Sequence, residues 1–338
     1  MIAIRHIVVL SAALLLAACG DSRLPELELS GSTMGTTFTV TLVAPGDGIA
    51  GEPLKSQITA TLAVVDALTS TWRVDSELAE FNASAATDWI SISAELCNAI
   101  DSALEISRLS DGAFDVTIGP LVNLWGFGPG GEIREPPDDA LIEETMAYVG
   151  YEGLQTRCSE PAMRKRHGAM YVDLSGWAKG HAVDKVAELL DEHGLSDYLV
   201  EIGGELRLRG HNAEGRKWAI AVEAPSTTTR RPQAVLRLTD TSVATSGDYR
   251  NYFDHDGQRY SHTLDARTGR PVAHDLAAVT VVSESAAWAD AMATALLVLG
   301  PESGLALAEK LGIAGYFLVR NKTGIEELTT TSFELLRH

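Results

Sequence analysis

Apolar and polar positions along the chain recur with two periods, and the period predicts the element. Between Gly31 and Ala44, Thr37, Thr39 and Thr41 alternate with Phe38, Val40 and Leu42, the two-residue repeat of a half-buried strand. Ile58, Leu62, Val65 and Leu68 then recur at helical spacing up to Thr69–Arg73, and a second helix is expected around Leu96, Ile100 and Ala103 to Ile106, stopped by Asp111-Gly112. A glycine- and proline-rich stretch, 124–139, precedes a further helical pattern and a hairpin near Tyr151–Met170. The clearest helix follows: Ala182, Val183, Val186, Leu189 and Leu190 form one stripe, and Gly194 ends it. Strands are expected at 198–204, 218–225, 234–240 and 277–283. A helix over 286–299 is closed by Gly300-Pro301, and 315–330 reads as a terminal hairpin. Strands and helices mix without strict alternation and no linker divides them, so the fold class is α+β and residues 28–338 form a single domain.

The N-terminus follows a different pattern. Arg5 precedes an apolar run from Ile7 to Leu16 that is too short to span a bilayer, which is the layout of a secretory signal over residues 1–18. Leu16-Ala17-Ala18-Cys19 looks like a bacterial lipobox, in which Cys19 is acylated and residues 19–27 form a polar tether. Two or more acyl chains hold a protein durably at a membrane. Apart from Cys19 the chain has only Cys97 and Cys158, which pair in an oxidising compartment or stay as free thiols.

The formal net charge of −19 excludes nucleic acid as a partner. It also opposes a nucleotide ligand unless a divalent cation or a helix N-terminus locally reverses the field. Gly126-x-Gly128-x-x-Gly131 matches a dinucleotide fingerprint in form only, because Pro129 interrupts it and no helix opens after it. The histidines and cysteines show no zinc spacing.

Four segments carry candidate chemistry. Asp290 and Thr294, one helical turn apart, offer a carboxylate and a hydroxyl suited to Mg²⁺; the plain alternative is a dipole-facing acid and a threonine bonded back to its own helix. A strand ending at Asp173 meets Ser175-Gly176 before a helix opens near Lys179, an arrangement that presents backbone N–H groups to an anion. His262 lies among strand residues ahead of an Asp265–Gly269 turn and is a candidate proton acceptor near neutral pH. The segment Ala244–Phe253 adds a Ser-Gly turn with Asp248 and Arg250, whose guanidinium suits a phosphate.

Taken together, the ordered motifs GSTMGTTF, STW, GAFDVTIGPLVNLWGFG, DLSGWAKGHAVD, YLVEIGGELRLRG, ATSGDYRNYF, YSHTLDARTGRPV and ADAMATALLVLG resemble the ApbE family of FAD:protein FMN transferases over almost the whole chain after Cys19. The resemblance implies a single elaborated domain with antiparallel and mixed sheets flanked by helices. It implies a lipid-anchored periplasmic enzyme, on the inner or outer membrane, that takes FAD and Mg²⁺ and attaches FMN to a threonine or serine of an acceptor, releasing AMP. The implied acceptors are subunits of membrane redox complexes of the sodium-pumping NADH:quinone reductase or Rnf type. By motif, Asp290, Thr294 and the Gly176 carbonyl hold the metal. Met34, Trp72, Ala113, Phe114, Asp115, Asp173, Lys179 and Leu264 line the FAD site, and His262 serves transfer, with Asp265 and Asp248 as alternative bases. Trp177, Trp72 and Ala266 depart from the commoner aliphatic, tyrosine and proline. Hydrolysis of FAD to FMN and AMP, or FAD carriage without chemistry, are the alternative functions.

Overall fold

The computed structural model describes residues 23–46, 48–131, 135–225, 231–249 and 251–337; the leader, Cys19 and Arg250 lie outside them. Where one strand is expected, the chain forms a hairpin of β1 (Glu26–Thr33) and β2 (Thr36–Val43). The turn is the two residues Met34 (φ 46°) and Gly35 (φ 72°), whose left-handed pair matches the twist of the flanking strands. β1 starts inside the stretch read as tether.

Helices α1 (Gly51–Thr69), α2 (Glu77–Ala83) and α3 (Ala94–Leu109) follow, α2 and α3 separated by the short β3 (Ile90–Ser91). α2, absent from the sequence reading, is capped by Ser76, which accepts from the Ala79 N–H at 3.0 Å. Two short helices, α4 (Gly119–Leu124) and α5 (Asp139–Met146), flank the glycine-rich loop. β4 (Leu154–Arg157) and β5 (Ala162–Lys165) form the expected hairpin, and Cys158 at its turn is disulfide-bonded to Cys97 of α3.

α6 (Ala178–Glu192) leads into β6 (Tyr198–Ile202) and β7 (Glu205–Arg209), then β8 (Trp218–Glu223), β9 (Pro232–Leu238) and β10 (Thr241–Gly247). Two small hairpins come next, β11 (Tyr252–His255) with β12 (Gln258–Ser261) and β13 (Leu264–Asp265) with β14 (Arg270–Pro271). The chain ends with β15 (Leu276–Ser283), α7 (Ala286–Leu311), β16 (Ala314–Asn321), β17 (Gly324–Thr329) and α8 (Thr331–Glu334).

One antiparallel sheet, in the order β1-β2-β6-β7-β10-β15-β16-β17, divides the molecule. α1 and α6 cover one end of its first face, where Phe38, Val40 and Leu42 of β2 meet Ile58, Leu62, Val183 and Val186. α7, backed by α3, covers the middle of that face. The β8–β9 hairpin and α8 cover the opposite face through Trp218, Ile220, Tyr316 and Phe333. β15 is buried along nearly its whole length because it has covering elements on both sides.

α7 is buried on nearly every side over residues 286–300 for the same reason, whereas Glu302, Ser303, Glu309 and Lys310 of its later part face solvent. It is the one helix among the described residues long and apolar enough to cross a bilayer. Its backbone breaks at Gly300 (φ 79°, ψ −179°), where a Cβ would lie 2.9 Å from the His274 ring, and Pro301 starts a second helical piece directly. The expected stop at Gly300-Pro301 is therefore a kink inside a longer element.

Candidate active site

The position of α7 fixes the site, and α6 fixes α7. Asp184 of α6 accepts from the Ser285 hydroxyl (2.8 Å) and from the Ala286 and Ala287 N–H groups (2.9 and 3.0 Å), which closes the N-terminus of α7 with a carboxylate. The two helices then cross at Gly180, where a Cβ would stand 2.2 Å from the Ala286 carbonyl oxygen and 2.7 Å from the Ala287 Cα. Only a glycine lets the backbones approach so closely. The same crossing lets the Gly180 N–H donate to Asp290 Oδ2 at 3.1 Å.

Before α6 the expected strand up to Asp173 is a short extended segment instead. Its backbone groups are taken by the Asn82 amide, which bonds both the N–H and the carbonyl of Val172 (2.7 and 2.8 Å), and by Val116, whose carbonyl accepts from the Asp173 N–H. At the turn, Ser175 N–H donates to Asp173 Oδ1 at 2.7 Å. Gly176 packs so closely that a Cβ there would lie 3.2 Å from the Phe114 ring and 3.3 Å from Thr294 Oγ1. Thr294 in turn shares a 2.9 Å hydrogen bond with Ser246 of β10.

These elements enclose a cavity of about 490 Å³. Its wall includes Gly176, Asp290, Thr294, Lys179, Asp173, Ala113, Phe114, Asp115, Leu264 and His262, drawn from segments up to 181 positions apart in sequence number (Ala113 to Thr294). Met34 and Trp72, expected on the flavin, are not part of that wall. Met34 is committed to the β1–β2 turn and packs into the helix-side core, and Trp72 stands 65% exposed on the loop after α1. Trp177 also lies off the wall, buried and stacked on His181 at 4.3 Å, so its departure from the family pattern does not reach the cavity.

The carboxylates divide by what they hold. Asp115 is buried and fully engaged: Oδ1 accepts from the N–H and hydroxyl of Thr117 (2.7 and 2.6 Å) and Oδ2 from the Tyr151 N–H (2.9 Å). Burial nonetheless raises its pKa, and its geometry is that of a loop brace. Asp248 is gripped by both terminal nitrogens of Arg320, and Asp265 by Arg267 at 2.8 Å on each oxygen, so the oxygens of both are already committed to a guanidinium. Asp290 differs, because its Oδ1 accepts no hydrogen bond among the described residues while Oδ2 faces Gly180 and, at 3.6 Å, Lys179.

Lys179 makes its closer contact elsewhere, 2.7 Å from Glu205 Oε1. Sequence reasoning assigned Glu205 no role. The available signal was an acid directly after two glycines that both turn left-handed, Gly203 (φ 62°) and Gly204 (φ 111°). Burial pushes the Glu205 carboxyl up to about 7 despite Lys179, and Asp290 adds like charge. Burial also opposes the charge on Lys179, but the two acids outweigh it and raise its pKa.

His262 sits between β12 and β13. Its Nδ1 lies 3.0 Å from the Asn251 carbonyl oxygen, which can only accept, so Nδ1 carries the proton and Nε2 keeps its lone pair. Burial lowers its pKa, which keeps the ring neutral at pH 7. Phe127 meets the ring edge-on at 6.3 Å and connects it to an aromatic group of Phe253, Tyr260 and Trp125. Among the described residues no three of His, Cys, Asp or Glu cluster as metal ligands. A cation here therefore has one carboxylate, a hydroxyl and backbone or substrate oxygens to rely on, a set that suits Mg²⁺ far better than zinc.

A family model described as the ApbE family matches residues 34–317. A FAD:protein FMN transferase of Vibrio cholerae serotype O1 is 40% identical over 328 residues, covering 97% of each chain. The solved structure of the flavin transferase ApbE from Vibrio cholerae superposes with a TM-score of 0.86 at 39% identity, covering 93% of this chain and 99% of that one. The Pseudomonas stutzeri flavinyl transferase ApbE in its apo form gives 0.85 at 42% identity, with 93% and 98% coverage.

Proposed function

The chain belongs to the ApbE family, and on that premise we propose that it is a FAD:protein FMN transferase. The observation that carries the reading is one cavity wall that holds a carboxylate oxygen unengaged among the described residues, a half-buried lysine and a histidine with a free Nε2. FAD is the donor and a serine or threonine hydroxyl of a second protein is the acceptor.

Mg²⁺ fits the residues present: Asp290 Oδ1 has no other partner among the described residues, Thr294 Oγ1 lies beside the close-packed Gly176, and all the donors are hard oxygens. When bound, the ion would neutralise diphosphate charge and polarise the phosphorus. Asp290, Thr294 and the Gly176 carbonyl would hold it. Lys179 adds a positive charge to the wall, and Phe127, Ile118, Val122 and Leu264 give an apolar surface suited to a flat ring.

In the reaction, the acceptor oxygen forms a bond to the flavin-side phosphorus. The bridging P–O bond breaks, AMP leaves with the electron pair, and the hydroxyl proton passes to His262 Nε2. The neutral, Nδ1-protonated tautomer is the one this step needs. Because Asp248 and Asp265 are tied to arginines, His262 is preferred over both.

Export and lipid anchoring at Cys19 belong to the same proposal. The Cys97–Cys158 disulfide supports them, since such bonds persist in oxidising compartments such as the periplasm. The acceptors we propose are flavin-carrying subunits of membrane redox complexes of the sodium-pumping NADH:quinone reductase or Rnf type.

The test mixes purified protein, FAD, Mg²⁺ and a candidate acceptor, and looks for a fluorescent band that survives denaturing electrophoresis alongside equimolar AMP. AMP without the band would make the enzyme a pyrophosphatase, and neither product would leave a carrier.

A further inference from the structure

Glu205 is a buried carboxylate in the cavity wall that braces no loop backbone and to which the mechanism above gives no task. It is 3% exposed, its Oε1 is 2.7 Å from Lys179 Nζ, and its Oε2 is buried with no hydrogen-bond partner among the described residues. An orphaned carboxylate oxygen is expensive to keep in a folded protein. Lys179 has two acids within reach and divides itself unequally between them, at 2.7 Å from Glu205 and 3.6 Å from Asp290. The ammonium is thus drawn toward β7 and away from α7.

Resting on the metal reading given above, we propose that Glu205 is a positioning residue: it holds Lys179 off Asp290 and so keeps Asp290 available to a divalent cation. The charge balance supports this. With Glu205 ionised, Glu205, Asp290 and Lys179 together carry one net negative charge, which attracts a cation into the wall. Without Glu205 the lysine and Asp290 neutralise one another, and an incoming cation must displace an ammonium to reach its carboxylate. Without both Glu205 and Lys179, Asp290 again stands alone with one negative charge. A residue acting on a metal ligand through a neighbour typically changes metal affinity by about 10–100-fold.

The experiment measures Mn²⁺ binding to the full-length protein by loss of the free-ion EPR signal, in saturating FAD and without acceptor. It compares the wild type with Glu205→Gln, Lys179→Met/Glu205→Gln and Asp290→Asn, each checked for folding by circular dichroism. The expected result is about tenfold weaker binding in Glu205→Gln, return to within about twofold of wild type in the double variant, and loss of the site in Asp290→Asn. Wild-type affinity in Glu205→Gln overturns the proposal. So does a double variant as weak as Glu205→Gln, which would make Glu205 a direct ligand. If the wild type binds no Mn²⁺, or Asp290→Asn binds it normally, the metal reading itself fails and this proposal with it. A general structural role for Glu205 would not be undone by removing Lys179 as well.

Discussion

The metal-facing part of the cavity wall and the histidine-facing part are built by opposite strategies. Asp290 and Thr294 stand on the first piece of α7, packed on nearly every side between sheet and helices, and their neighbours Lys179 and Gly180 stand on α6, locked to α7 by the Asp184 cap and a crossing with no room for a methyl group. His262 stands between two-stranded hairpins held by two arginine–carboxylate forks and a small aromatic group. The first part takes its precision from the hydrophobic core, where any displacement is resisted by close packing. The second takes it from a few polar contacts, one of them a single bond to the Asn251 carbonyl. Changes on the α6–α7 side should therefore affect stability and chemistry together, and changes around His262 should affect chemistry alone.

The severest break of that contrast is Asp290→Ala. It is expected to lower FAD turnover about 10³-fold and to flatten its Mg²⁺ dependence, measured by AMP release, with circular dichroism showing a folded chain. His262→Ala is expected to lower transfer about 10²-fold while leaving FAD binding intact and the unfolding free energy within about 0.5 kcal/mol of wild type. The pH profile sharpens this assignment. Burial depresses the His262 pKa, so the base stays neutral until pH falls below the ordinary histidine value, and the acid limb of the rate should lie there. An acid limb on the alkaline side of that value would remove His262 from the role.

Gly180→Ala tests the helix crossing. The added methyl must push α6 from α7, and overpacking of this kind destabilises by about 1–3 kcal/mol, measurable as a lower urea midpoint; a neutral result would mean that the crossing is slack. The smallest effect is expected for Arg267→Ala. The Arg267–Asp265 pair lies at the surface, where such pairs contribute about 0.2–1 kcal/mol, and denaturant titration should find a loss no larger than that. A loss comparable to that of Gly180→Ala would erase the distinction between the two parts of the wall.

Elements whose apolar residues repeat regularly were legible from the sequence: α1, α3, α6 and the first piece of α7 lie where the spacing puts them. The elements overlooked are those whose pattern is weak. β7, Glu-Leu-Arg-Leu-Arg, carries charges along a buried strand, β10 reads as polar through Thr241, Ser242, Thr245 and Ser246, and α2 is only seven residues long. Met34-Gly35 hid a hairpin because β1 has only Leu27 and Leu29 as apolar markers, and the small polar run Ser30–Thr33 before the turn carries no alternation. In the site, the one-turn spacing of Asp290 and Thr294 could be read because it is local. The engagement of Asp115, Asp248 and Asp265, and the partition of Lys179 between two acids, could not.

By itself the sequence determined the local periods, the helix stops at Asp111-Gly112 and Gly194, the lipobox-like Cys19 and the ordered motifs of the ApbE family, because each depends on residues a few positions apart. The tertiary structure decided which carboxylates are already bound, which nitrogen of His262 is free, and that Glu205 meets Lys179 while Gly180 meets Asp290 across 110 positions. Those outcomes depend on burial and on distances of about 3 Å between distant segments, and such distances exist only once the core has packed.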